Sequence, residues 1–214
     1  MDNISRYNGY IEGYYGRILN WNERKRILNK LNKIGFNSYL YCPKEDLFHR
    51  INWRENYPNH WMKSFKNFCE YADKLNIKVL IGISPGLDYD FNSEIDFQIL
   101  FRKFKIFLKQ GAYKCVLLFD DIEKSYNLNK EHLYYEGEAH AKLTNKIFDK
   151  LNQKILFVPK VYADQLNKET PNYMSYLFKT LNKKITIFYC GKKIVSKTTK
   201  KEELNFLRSF TNQK

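Results

Sequence analysis

Val116-Leu117-Leu118-Phe119-Asp120-Asp121-Ile122-Glu123 is a run of large apolar side chains that leads straight into two acids. A continuous apolar run, without alternation of polar and apolar residues, is the pattern of a parallel strand covered on both faces. The acids then fall at the C-terminal end of that strand, where α/β folds gather their chemistry. Two adjacent carboxylates in a partly apolar pocket cannot both ionise easily, so one pKa rises. One acid then keeps its proton while the other stays an anion, the division of labour that glycosidic cleavage needs. Taken alone, the pair fits the start of a surface loop best, and beside the acid/base reading it also fits a site for a divalent cation such as Mg²⁺.

Moving outward, similar apolar runs occupy residues 10–15, 37–42, 78–83, 114–119, 155–159 and 185–190. Amphipathic helical stretches separate them. In the first, Asn22 is the expected N-cap, Ile27, Leu28, Leu31 and Ile34 form the stripe, and Gly35 suits the position after the C-cap. The spacing predicts further helices over 61–75, 96–110, 136–151, 173–181 and 201–210. Each strand is followed by a helix, so these are βα units. Six such units fit an open doubly wound sheet or most of a barrel. The polar residues Glu12, Gly13, Tyr15, Lys44, Ser84, Asp120, Asp121 and Tyr162 all fall at or just after strand ends. So many separate strands offering polar ends argue for a barrel mouth. The expected fold is α/β, a (β/α)8 TIM-barrel-like domain truncated to about six βα units, with residues 1–214 as a single domain.

Composition narrows the function. Lysine and arginine outnumber acids 37 to 23, a formal charge of +14. The lysines are spread over nearly every predicted helix, which reads as a solvated surface and not a nucleic-acid face. Their densest group is Lys192, Lys193, Lys197, Lys200 and Lys201. No segment has the ~18 apolar residues of a membrane span, and the first eight residues lack the apolar core of a signal peptide. A cytoplasmic or nuclear location is therefore expected. Cys42, Cys69, Cys115 and Cys190 form no CxxC pair and read as buried, reduced thiols. His49, His60, His132 and His140 show no zinc spacing, and Gly9, Gly13 and Gly16 do not form a dinucleotide-binding loop. No metal and no cofactor are expected. His49 is expected to support the loop after the second strand.

Several uncommon motifs occur in order. They are Gly9-Tyr10-Ile11-Glu12-Gly13-Tyr14-Tyr15-Gly16-Arg17 and Asn37-Ser38-Tyr39-Leu40-Tyr41-Cys42-Pro43-Lys44-Glu45-Asp46, continuing to His49-Arg50 and Trp53-Arg54-Glu55. After them come Ile83-Ser84-Pro85-Gly86-Leu87-Asp88, the paired acids, Phe157-Val158-Pro159-Lys160-Val161-Tyr162, and Tyr189-Cys190-Gly191-Lys192-Lys193-Ile194-Val195-Ser196-Lys197. Together they resemble glycoside hydrolase family 84, the β-N-acetylglucosaminidases that include protein O-GlcNAcase, over nearly the whole chain.

The resemblance implies substrate-assisted, retaining hydrolysis through an oxazoline, in which the substrate's own 2-acetamido oxygen attacks the anomeric carbon. It implies that Asp120 orients and polarises the acetamido N–H, and that Asp121 is the general acid and then the general base. Lys44 would bind sugar hydroxyls, Gly13 would offer a carbonyl to the 3-hydroxyl, and Tyr15 would line the pocket. Tyr162 would hold the acetamido oxygen, while Cys190 and Ile194 would border the acetamido methyl group. The implied substrate is a GlcNAc-modified protein or glycan. Family barrels continue into a seventh strand with a Trp-Asp-Asn motif and a nearby Asn-Asp pair. After Ser196 this sequence offers one helical stretch and a polar tail. A homodimer or a partner chain completing the barrel is therefore expected. The alternative to an active hydrolase is a GlcNAc-binding or interaction module derived from the same family.

Overall fold

The computed structural model describes residues 7–122, 135–152, 154–170, 172–198, 200 and 202. Strands and helices alternate as β1 (Gly9–Glu12), α1 (Trp21–Lys33), β2 (Ser38–Tyr41), α2 (Asn59–Lys74), β3 (Lys78–Ile83) and α3 (Glu94–Lys109). They continue as β4 (Lys114–Leu118), α4 (Glu136–Lys150), β5 (Ile155–Val158), a 3-10 turn (Asp164–Lys168) and α5 (Tyr173–Thr180). The strands lie in sequential order in one sheet. β1 pairs parallel with β2, Gly9 opposite Ser38, and β2 pairs parallel with β3, Ser38 opposite Lys78. Sequential parallel strands joined by helices are the barrel's unit of construction.

Local chemistry sets the element ends. The cap of α1 is Asn20 and not Asn22, because Glu23 stands three residues after Asn20 and closes a reciprocal capping box. Asn20 Oδ1 accepts from the Glu23 N–H at 3.0 Å, and the Glu23 carboxylate accepts from the Asn20 N–H at 2.8 Å. Leu28 and Leu31 are buried as the stripe predicts, but Ile34 is the C-cap and lies 63% exposed. Gly35 takes φ +74°, the left-handed conformation expected of the residue after the cap. β1 ends at Glu12, three residues before the apolar run does.

The sixth apolar run forms no strand. It contributes a single parallel bridge, Phe157 to Ile187, with the Phe157 N–H donating to Thr186 O at 3.1 Å and the Phe188 N–H to Phe157 O at 2.9 Å. The helix expected over 201–210 lies outside the described residues, Glu202 apart.

Two compact units are distinguished, residues 1–83 with 99–115, and residues 84–98 with 116–214. In the first, Leu28, Tyr39, Leu40, Phe65, Phe68, Leu80, Phe104 and Phe107 are buried. Trp61 stacks on Phe65 at 5.3 Å between ring centroids. In the second, Val116, Leu117, Phe119, Phe157, Ile147, Met174 and Leu177 fill the core. His140 stacks on Phe119 at 3.7 Å. Gly137 lets α4 approach α5 closely, since a Cβ there would come within 2.1 Å of Tyr173 O. No helix among the described residues is long and apolar enough to cross a membrane.

Candidate active site

β4 delivers its acids through a buried stem. Cys115 through Phe119 are almost fully buried, after which Asp120 is half-buried and Asp121 exposed. Asp121 has φ +56°, a left-handed conformation that Asp adopts more readily than most residues. The turn separates the two neighbours and presents Asp121 to a cleft of about 290 Å³ that Ile122, Lys160, Tyr162, Leu166, Glu169, Thr170 and Ile194 also line.

Tyr162, four residues past β5, donates its hydroxyl to Asp121 Oδ1 at 2.8 Å. Burial raises the Tyr162 phenol pKa well above its usual value, and the bond to Asp121 and the charges of both aspartates add to this. Tyr162 therefore stays a hydrogen-bond donor. Its carbonyl accepts from the Cys190 N–H at 2.7 Å. The Cys190 thiol is also pushed up, by burial and then by the charges of Asp120 and Asp121. Cys190 nonetheless counts among the exposed residues, unlike buried Cys42, Cys69 and Cys115. That corrects the expectation of four buried thiols, and the cause is the sixth run, which forms no covered strand. Lys160 lines the cleft with its charge engaged by Glu136 at 3.0 Å.

The first unit holds Gly13, Tyr15 and Lys44. A Cβ on Gly13 would meet Ile11 Cγ2 at 3.0 Å and Cys42 Sγ at 3.3 Å, so the backbone runs close to its neighbours there. Tyr15 is 58% exposed, and its hydroxyl accepts from Arg50 Nη1 at 2.9 Å. Lys44 is buried, and its backbone N–H donates to Tyr14 O at 3.4 Å. The loop that follows is pinned from within. Asp46 accepts from Tyr41, Tyr57 and the Phe48 N–H, and His49 Nδ1 bonds Gly82 O at 2.8 Å. His49 thus supports this loop, as the sequence suggests. Lys103 Nζ donates to the carbonyls of Phe48, Trp53 and Glu55, each at 2.7 Å.

Glu12 departs from the strand-end pattern. It is fully buried and turned to α1, where Arg24 forms two bonds with it at 2.9 Å, and Tyr39 Oη donates to it at 2.6 Å. Its role is structural. Sequence reasoning missed the Lys160–Glu136 pair and the bond of Tyr189 Oη to Asp164, whose partners lie 24 and 25 residues apart with no local signal. Among the described residues no group of three or more His, Cys, Asp and Glu side chains is arranged to hold a metal ion. A second cavity of about 400 Å³, lined among others by Tyr89, Phe91, Phe97 and Tyr135, contains neither aspartate.

A family model described as beta-N-acetylglucosaminidase matches residues 8–214. The chain is 32% identical over 196 residues to the protein O-GlcNAcases of Rattus norvegicus and Mus musculus, covering 88% of this chain and 21% of each relative. It therefore spans about a fifth of their length. Among solved structures, an O-GlcNAc hydrolase mutant of Thermobaculum terrenum superposes with a TM-score of 0.87 at 28% identity, over 96% of this chain and 45% of that one.

Proposed function

This chain belongs to the β-N-acetylglucosaminidase family, and on that premise we propose that it removes terminal β-linked N-acetylglucosamine, foremost from Ser or Thr of modified proteins, by substrate-assisted hydrolysis with retention. The observation that carries the reading is the Tyr162–Asp121 hydrogen bond at the cleft, which puts a permanent donor beside an exposed carboxyl.

In the proposed sequence the acetamido oxygen, held by Tyr162 Oη, attacks the anomeric carbon. The bond to the leaving oxygen breaks as Asp121 gives that oxygen its proton. Asp120 accepts the acetamido N–H bond and stabilises the positive charge of the ring that forms. Water then attacks the anomeric carbon from the face just vacated, Asp121 takes its proton, and the acetamido group is restored. Two inversions give retention. The enzyme supplies no nucleophile, so its carboxyls need not face each other across the sugar at the ~5 Å of a conventional retaining pair. Cys190 and Ile194 would border the acetamido methyl group. Sugar-binding roles for Lys44, Gly13 and Tyr15 rest on the family match. The proposed setting is cytoplasmic or nuclear, where thiols are kept reduced.

Turnover of an aryl β-N-acetylglucosaminide by the purified chain tests this. Asp121→Asn is expected to lower kcat by about 100-fold or more. An inert wild-type chain that still binds an oxazoline-mimicking inhibitor would overturn the hydrolase in favour of a GlcNAc-binding module.

A further inference from the structure

The loop 191–197 stands beside the candidate cleft and carries a charge that the sugar does not need. It is anchored at several points. The Asp164 N–H donates to Gly191 O at 3.0 Å, the Gln165 N–H to Lys192 O at 3.3 Å, and the Ile194 N–H to Gln165 Oε1 at 3.2 Å. Tyr189 Oη bonds Asp164, and the Cys190 N–H bonds Tyr162 O just before the loop begins. The loop is thus fixed to the 3-10 turn and to the residue that holds Asp121, and Ile194 reaches the cleft wall. Lys192, Lys193 and Lys197 are exposed along it, and no acid occurs between Cys190 and Lys200. Val195, 83% exposed, adds an apolar contact in the middle. Among the described residues the acids of the cleft are Asp121 and Glu169, and its own lysine, Lys160, is engaged by Glu136.

N-acetylglucosamine is neutral, so a basic rim does nothing for the sugar itself. It acts on whatever the sugar is attached to. We propose that this loop selects the substrate's polypeptide, favouring modified Ser or Thr flanked by acidic residues. The proposal rests on the hydrolase reading above. Exposed lysines facing acidic side chains are individually weak, and their joint effect falls on encounter and selectivity more than on the bond-breaking step. A polypeptide is favoured over nucleic acid because the lysines are tied to the cleft that holds Asp121 and Tyr162, and do not extend along one helix or groove.

The test compares glycopeptides carrying one O-GlcNAc on the same Ser, flanked by Asp/Glu or by Ala/Gln. At low ionic strength the acidic peptide is expected to have roughly tenfold higher kcat/KM. That advantage should shrink towards parity as salt shortens the screening length from ~30 Å at 0.01 M to ~3 Å at 1 M. Lys192→Glu/Lys193→Glu should abolish or invert it. Equal kcat/KM at low salt, or a preference that survives the double variant, would overturn the proposal. So would displacement of the acidic peptide by a random-sequence oligonucleotide of higher affinity. Wild-type turnover of the neutral aryl substrate reports on the hydrolase reading alone. If that turnover is absent, anisotropy with the same two peptides, labelled, reads the preference as a difference in Kd, with equal affinities again counting against it.

Discussion

Tyr162 and Asp121 are bonded to each other. The Tyr162 proton is held firmly, first by burial and then by the bond to the carboxylate, so the hydroxyl keeps its proton to donate, as the proposed mechanism requires. On the proposed mechanism Tyr162→Phe removes the group that holds the acetamido oxygen in line for attack, and is expected to lower kcat roughly 10- to 100-fold. Because the two side chains act as one unit, Tyr162→Phe combined with Asp121→Asn should cost little more than Asp121→Asn alone. Full additivity in that cycle, measured with the aryl substrate, would separate their roles. The motif order picks out both residues from sequence, but not their bond. Forty-one positions separate them, and only the placement of β4 and β5 in the fold closes that distance.

Among the elements, α1 shows what a local reading captures and what it lacks. Its apolar stripe and its terminal glycine are legible, because helical periodicity and a left-handed cap are written within a few residues. The capping box moved its start by two residues, since Asn20 and Asn22 are equally plausible until Glu23 is counted from each. Glu12 was not legible at all: at a strand end it looks like part of a mouth, and only Arg24 on α1 shows that it belongs to the interior. That pair sets the prediction at this scale. Arg24→Met strands a buried carboxylate and should cost about 3–5 kcal/mol in denaturant melts, with Arg24→Met/Glu12→Leu regaining most of it. The sixth run illustrates the opposite limit. Ile185-Thr186-Ile187-Phe188-Tyr189-Cys190 has strong strand composition, yet strand formation needs a partner in register, and it obtains only the bridge to Phe157.

For the molecule as a whole, a prediction on acid tolerance follows from two buried imidazoles, one in each compact unit. Burial lowers the pKa values of His49 and His140 to about 3. Between about pH 6.5 and about pH 3 the unfolded chain takes up protons at both, while the folded chain does not, so stability falls as pH falls through that window. Each histidine contributes a slope of up to about 1.4 kcal/mol per pH unit. Urea midpoints from pH 7.5 to 4 should show this decline, and His140→Gln should remove about half of the slope. An unchanged slope would place the acid sensitivity elsewhere. At this scale the α/β class and the order of units were readable from the spacing of apolar runs, because each βα unit repeats the same local grammar. The division into two compact units has no counterpart in the sequence, which contains no linker-like stretch between them.

The left-handed backbone at Asp121 also filters which replacements that position accepts. Asn and Gly take up such a conformation readily, whereas a β-branched residue would force the turn to rearrange and would carry Asp120 with it. On the proposed mechanism an Asn variant thus erases a proton donor while leaving the chain's path intact. Lineages drifting away from catalysis have the same narrow exit, so Asn or Gly at this place in a related sequence would mark lost chemistry on a preserved fold.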